Sequence, residues 1–226
     1  MRMANVVVGT DGSYCGDTAL RWAARHAWCA DQDLEVWLPG DPDALPADVP
    51  RDVSLSHVSH DYPLLHLHVH ASGPDPVHDL ASASVGADLL VVGSSDLAVL
   101  ARCDTVVVRG HSSAVQGAHH RITAIVDDDT MVLARAAQTA LRHHARLRVV
   151  SFEADSGEHP FELDQSSRYL EKLDPRPNYS VVLDPCRPEE MIARALDSDL
   201  LVLGDGTLAH YALRHAPCPV LVLARG

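Results

Sequence analysis

Two tandem doubly wound α/β units are expected from three features of the chain. Short apolar runs of strand length alternate with stripes of helical period along its whole length. The runs at 89–92 and 200–203 are apolar throughout, as parallel strands covered on both faces require. Finally, Ala87 to Ser95 reads ADLLVVGSS and Ser198 to Gly206 reads SDLLVLGDG, in register 111 residues apart. One fold would not space its elements identically twice, so the simplest explanation is two copies of one unit.

Strands are expected in the first copy at 6–9, 34–38, 64–71, 89–92 and 106–108. Their counterparts fall at 122–126, 147–152, 179–183, 200–203 and 220–223. After the first strand, Ala19, Leu20, Ala23, Ala24 and Ala27 form a helical stripe, with Ser13 placed to cap it and Asp17 near its positive end. Val132, Ala136, Ala137, Ala140 and Leu141 repeat the stripe, and Met191, Ile192, Ala195 and Leu196 form another. Residues 38–63 contain Pro39, Pro42, Pro46, Pro50 and Pro63, where the second copy has a helical pattern over 161–173. The first domain is therefore expected to lack one helix. Residues 110–120 carry Gly and Ser without periodicity, which places the domains at 1–112 and 121–226.

Composition narrows the function. Of 226 residues, 46% are hydrophobic and only 4% aromatic, so the core is aliphatic. The 18 basic and 31 acidic residues leave a net charge of −13, which excludes general nucleic-acid binding. Up to Ser113 there are 6 basic and 15 acidic residues, and beyond it 12 and 16. Lys172 is the sole lysine, so no phosphate loop ending in Gly-Lys-Ser/Thr exists. No stretch approaches 18 apolar residues and the opening run is too short for a signal core, so no membrane association is expected. Five cysteines without a C-x-x-C pair fit reduced thiols in the cytoplasm.

Several segments together resemble the universal stress protein family in a tandem form. These are Val-Gly-Thr-Asp-Gly-Ser (8–13), Ala-Leu-Arg-Trp-Ala-Ala (19–24), Ala-Asp-Leu-Leu-Val-Val-Gly-Ser (87–94) with its repeat at 198–204, and His-Ala-Pro-Cys-Pro-Val-Leu-Val (215–222). The resemblance implies a Rossmann-like five-stranded sheet of order 3-2-1-4-5 in each half. It also implies an internal pseudo-dimer through the last strands, further homo-oligomerisation, and a role in stress response through protein partners.

ATP-binding members of that family carry Gly-x2-Gly-x9-Gly-Ser/Thr after the fourth strand, whose amides cradle phosphate. Neither half has it. Half one reads Gly93-Ser94-Ser95-Asp96 with no second glycine before Arg102, and half two reads Gly204-Asp205-Gly206-Thr207 and runs straight into a helical pattern. Ligands of doubly wound sheets lie beyond the carboxyl ends of strands one and four. The corresponding residues are Asp11, Ser13, Gly93, Ser94, Ser95 and Asp96 in half one, and Asp127, Asp128, Asp129, Gly204, Asp205, Gly206 and Thr207 in half two. They read as a vestigial nucleotide pocket whose carboxylates repel a triphosphate unless a divalent cation intervenes. The expectation is a non-catalytic regulatory protein without a cofactor. One alternative is a sensor that binds ATP or AMP with magnesium through half one; the other is a weak nucleotide hydrolase.

Other groupings read as structural. His66, His68 and His70 alternate with apolar residues and share one strand face, a weak metal candidate against the solvated face of an edge strand. No G-x-S-x-G elbow occurs, Ser13 reads as a helix cap, and Cys103 and Cys218 read as buried thiols. No nucleophile, base and orienting group assemble.

Overall fold

The computed structural model describes residues 5–40, 53–94, 101–126, 130–152 and 163–224. The chain divides into two compact units, Met1–Val108 and Arg109–Gly226. In unit 1 the elements run β1 (Asn5–Gly9), α1 (Tyr14–Ala30), β2 (Asp33–Pro39), α2 (Val53–Asp61), β3 (Leu67–Ser72), α3 (Pro76–Ala83), β4 (Leu89–Val92) and β5 (Thr105–Val107). Unit 2 opens with a short helix, α4 (Ser112–Val115). It continues with β6 (Arg121–Ile125), α5 (Thr130–Arg142), β7 (Arg146–Phe152), α6 (Leu163–Glu171), β8 (Tyr179–Asp184), α7 (Pro188–Ala193), β9 (Leu200–Leu203), α8 (Thr207–His215) and β10 (Val220–Val222).

Both sheets are parallel and wound alike. Unit 1 has the order β3-β2-β1-β4-β5, and unit 2 has β8-β7-β6-β9-β10, the 3-2-1-4-5 arrangement in each. The interior strands β4 and β9 are buried at every position, as their unbroken apolar runs require. Ala19, Leu20, Ala23, Ala24 and Ala27 of α1 are fully buried, and small alanines let the helix sit close on β1. Val132, Leu133, Ala136, Ala137 and Ala140 of α5 do the same beside β6. Each large aliphatic side chain so buried contributes about 1.5–3 kcal/mol.

The two long helices also end alike. Asp31 (φ 54°) and His144 (φ 50°) take left-handed backbone conformations, and the following amides of Gln32 and Ala145 donate to Ala27 and Ala140 at 3.0 and 2.9 Å. At the amino end of the sheets, the aspartate of the repeated motif is structural. Asp199 accepts the amides of His119 and Arg121 at 3.0 and 3.2 Å, and Asp88 accepts from the Gln32 side chain at 3.1 Å.

Unit 1 does not lack a helix: α2 follows the prolines at 39, 42, 46 and 50 and stops before Pro63. Leu55 and Val58, three residues apart, are buried on its inner face, and the helix packs against α1. The prolines flank the helix instead of interrupting it, so the penalty for proline in a helix interior never applies. The third strand also starts later than expected, at Leu67. Leu64 is 78% exposed in a turn closed by the Leu65 amide donating to Tyr62 at 3.0 Å. α7 ends at Ala193, which leaves Leu196 outside the buried stripe.

Candidate functional site

β1 and β4 end side by side, so the segment after β1 and the residue after β4 meet above the first turn of α1. Ser13 caps that helix: its hydroxyl accepts the Gly16 amide at 3.2 Å, and its carbonyl accepts the Asp17 amide at 2.8 Å. Asp11 folds back over the same turn and accepts the Ser13 amide at 3.0 Å. Hydrogen bonds from the Ser13 hydroxyl and then its amide hold the Asp11 carboxyl below the usual carboxylate range, so it is ionised at neutral pH. Thr10, buried beneath, accepts the Gly12 amide at 3.3 Å. The positive end of α1 therefore has its own anion and its own cap in place.

Two glycines are required here by close approach. A Cβ on Gly16 would lie 2.6 Å from both Thr10 Oγ1 and Asp11 Oδ1, and one on Gly93 would lie 2.7 Å from the Cys15 carbonyl oxygen. Gly93 thus serves as a joint between β4 and α1. Thr10 and Gly16 escaped the reading of the sequence, although a glycine inside a helix's first turn signals such an approach. Ser94 follows Gly93 directly, whereas Ser95 and Asp96 lie outside the described residues.

The same place in unit 2 is built differently. Gly204, Asp205 and Gly206 join β9 to α8, and Thr207 is already helical. Among the described residues, a Cβ on Gly204 would meet only Val132 Cγ2 at 3.5 Å, and one on Gly206 would meet nothing within 4 Å. The Gly206 carbonyl accepts the His210 amide at 3.1 Å and lies 2.8 Å from His210 Nδ1, and no side chain caps α8. Asp127, Asp128 and Asp129 lie outside the described residues.

His68 and His70 lie on β3, with His66 just before it, and each faces a carboxylate of β2. His66 lies 3.3 Å and His68 3.8 Å from Asp33, and His70 lies 3.8 Å from Glu35. His70 also stacks on Trp37, with ring centroids 4.9 Å apart. Among the described residues, no group of three His, Cys, Asp or Glu side chains could hold a metal ion. Cys218 is fully buried, and desolvation followed by the Asp199 charge pushes its thiol up to about 12; Cys103 is half-buried. Burial makes Cys218 a packing residue. No described helix is long and apolar enough to cross a membrane.

A universal stress protein from Archaeoglobus fulgidus superposes with a TM-score of 0.70 over 100% of both chains at 14% identity. A putative universal stress protein from Pseudomonas aeruginosa gives 0.63 at 16% identity over 98% of this chain and 93% of that one. A functionally unknown protein from Pseudomonas aeruginosa gives 0.58 at 16% identity, covering 98% and 92%. The chain has the universal stress protein fold. No protein-family model and no curated protein matches it.

Proposed function

We propose that the chain is a non-catalytic stress-response module of universal-stress type that works through protein contacts, including self-association, and holds no ATP in its strand-end crevices. The observation that carries this reading is the three-residue connection from β9 to α8. A phosphate cup of the family pattern needs a glycine-bearing loop of more than ten residues there, and three residues supply no row of amides. In unit 1 the sequence has no glycine between Gly93 and Gly110, and the first-turn amides of α1 already serve Asp11 and Ser13. Neither crevice presents a lysine, and an ionised Asp11 stands in unit 1 where an incoming phosphate would add like charge.

The alternative is an adenine-nucleotide sensor using Asp11, Ser94 and Ser95, and it draws on that same exposed carboxylate as a ligand for magnesium. Mass spectrometry of small molecules released from gently purified protein separates the two. The proposal expects no stoichiometric nucleotide, and MgATP turnover no faster than a buffer control. One adenine nucleotide per chain overturns it in favour of the sensor.

A further inference from the structure

The strands of the two units pair in matching register, so positions on one face of each sheet correspond. Across unit 1, Asn5 aligns with Asp33, and the His66 carbonyl accepts the neighbouring Leu34 amide. Across unit 2, Arg121 aligns with Arg146, and the Asn178 carbonyl accepts the Leu147 amide. One pleat further on, Glu35 and His68 of unit 1 correspond to Arg148 and Ser180 of unit 2.

The charges invert between the copies. In unit 1 each carboxylate has close neighbours: Asp33 lies beside His66 and His68, and Glu35 beside His70 with a hydrogen bond from Asn5. Unit 2 replaces these carboxylates by guanidinium groups and the imidazoles by the uncharged Asn178 and Ser180. Arg121 pairs with Asp197, and Arg148 approaches Asp184 at 3.9 Å. Arg146 is exposed and has no side-chain partner among the described residues. The three arginines, with Asn178, Ser180 and Val182, line a concavity of about 410 Å³. Its size lies within the roughly 300–1,000 Å³ of small-molecule sites. Arg121 and Arg146 open their strands, so the concavity lies at the amino end of the sheet, away from the strand-end crevice.

The geometry points to a binding site for a small polyanion, bearing phosphate or carboxylate groups, in this concavity of unit 2. Arginine suits the task because its planar fork donates two parallel hydrogen bonds to an oxyanion and stays charged at every physiological pH. Asp197 anchors the Arg121 fork, Asp184 lies 3.9 Å from Arg148, Arg146 supplies the unmatched charge, and Asn178 and Ser180 offer neutral hydrogen bonds to the ligand body. The acidic face of unit 1 on a second copy is a poorer occupant, because its carboxylates already face imidazoles.

Calorimetric titration of the full chain with pyrophosphate and with citrate tests the site. Saturable one-to-one binding that weakens with added sodium chloride is expected, and the stronger of the two probes tells phosphate from carboxylate chemistry. Arg146→Ala should weaken binding at least about tenfold and Arg146→Lys less, because lysine keeps the charge and loses the fork. Arg168→Ala, which removes a surface pair with Asp164 on α6, should leave binding unchanged. Arg146 is exposed, so its variants should keep the parent melting temperature, and Arg148→Ala gives a second reading of the same site. Failure of both probes to bind at millimolar concentration, or undiminished binding by Arg146→Ala and Arg148→Ala, overturns the assignment.

Discussion

Gly93 and Gly204 stand at the same position, just past the fourth strand of each unit, and the structure uses them differently. Gly93 is pinned against the Cys15 backbone, where any side chain would collide, whereas among the described residues Gly204 faces a single methyl group at ordinary contact distance. Unit 1 therefore seals β4 onto α1, and unit 2 keeps an uncrowded but short turn. A glycine after the fourth strand signals a phosphate cradle only when a glycine-bearing loop follows it. Here it marks close packing in one copy and a tight connection in the other.

The largest effects should come from the helices flanking the second strands. Leu55→Ala in α2 and Leu170→Ala in α6 each remove a buried side chain and should cost about 2–4 kcal/mol in urea unfolding. A neutral Leu55→Ala beside a costly Leu170→Ala would break the claim that both copies retain this helix. Next, Gly93→Ala should destabilise by about 1–3 kcal/mol through overpacking against backbone. Gly204→Ala should stay within about 0.5 kcal/mol, and equal costs at the two positions would erase the distinction between crevices.

Smaller still, Ser13→Ala should cost about 1 kcal/mol by removing the α1 cap, while Gly206→Ser should gain a few tenths by providing α8 with one. The smallest effect concerns pH. Asp11 titrates below its unfolded value in the native state, so its contribution is present above the ordinary carboxylate range and is lost as pH falls through the depressed value. Asp11→Asn should flatten the acid limb of stability against pH by lowering stability at neutral pH and above, the two proteins converging once pH falls below the depressed value. An unaltered acid limb would mean that Asp11 does not hold the α1 turn.

Strand positions were legible because each is an apolar run bounded by turn residues, as at Leu89 to Val92 and Leu200 to Leu203. The α1 cap was legible too, since a hydroxyl between a strand and an alanine stripe has one ordinary use. α2 was hidden because flanking prolines dominate the local composition, while its described apolar anchors are Leu55 and Val58. Gly93 could be read as a glycine but not as a joint, because its constraint comes from Cys15, far away in sequence. The arginine concavity was invisible for a related reason. Arg146 and Arg148 share a face by alternation, but only strand register brings Arg121 beside them.

Both strand-end crevices can be tested together by thermal unfolding in MgATP, with the double variant Arg146→Ala, Arg148→Ala as the parent so that binding in the arginine concavity is suppressed. An unchanged midpoint up to millimolar MgATP is expected. A saturable rise, reaching about 2.7 kcal/mol of added stability at one hundred times the dissociation constant, would contradict the account.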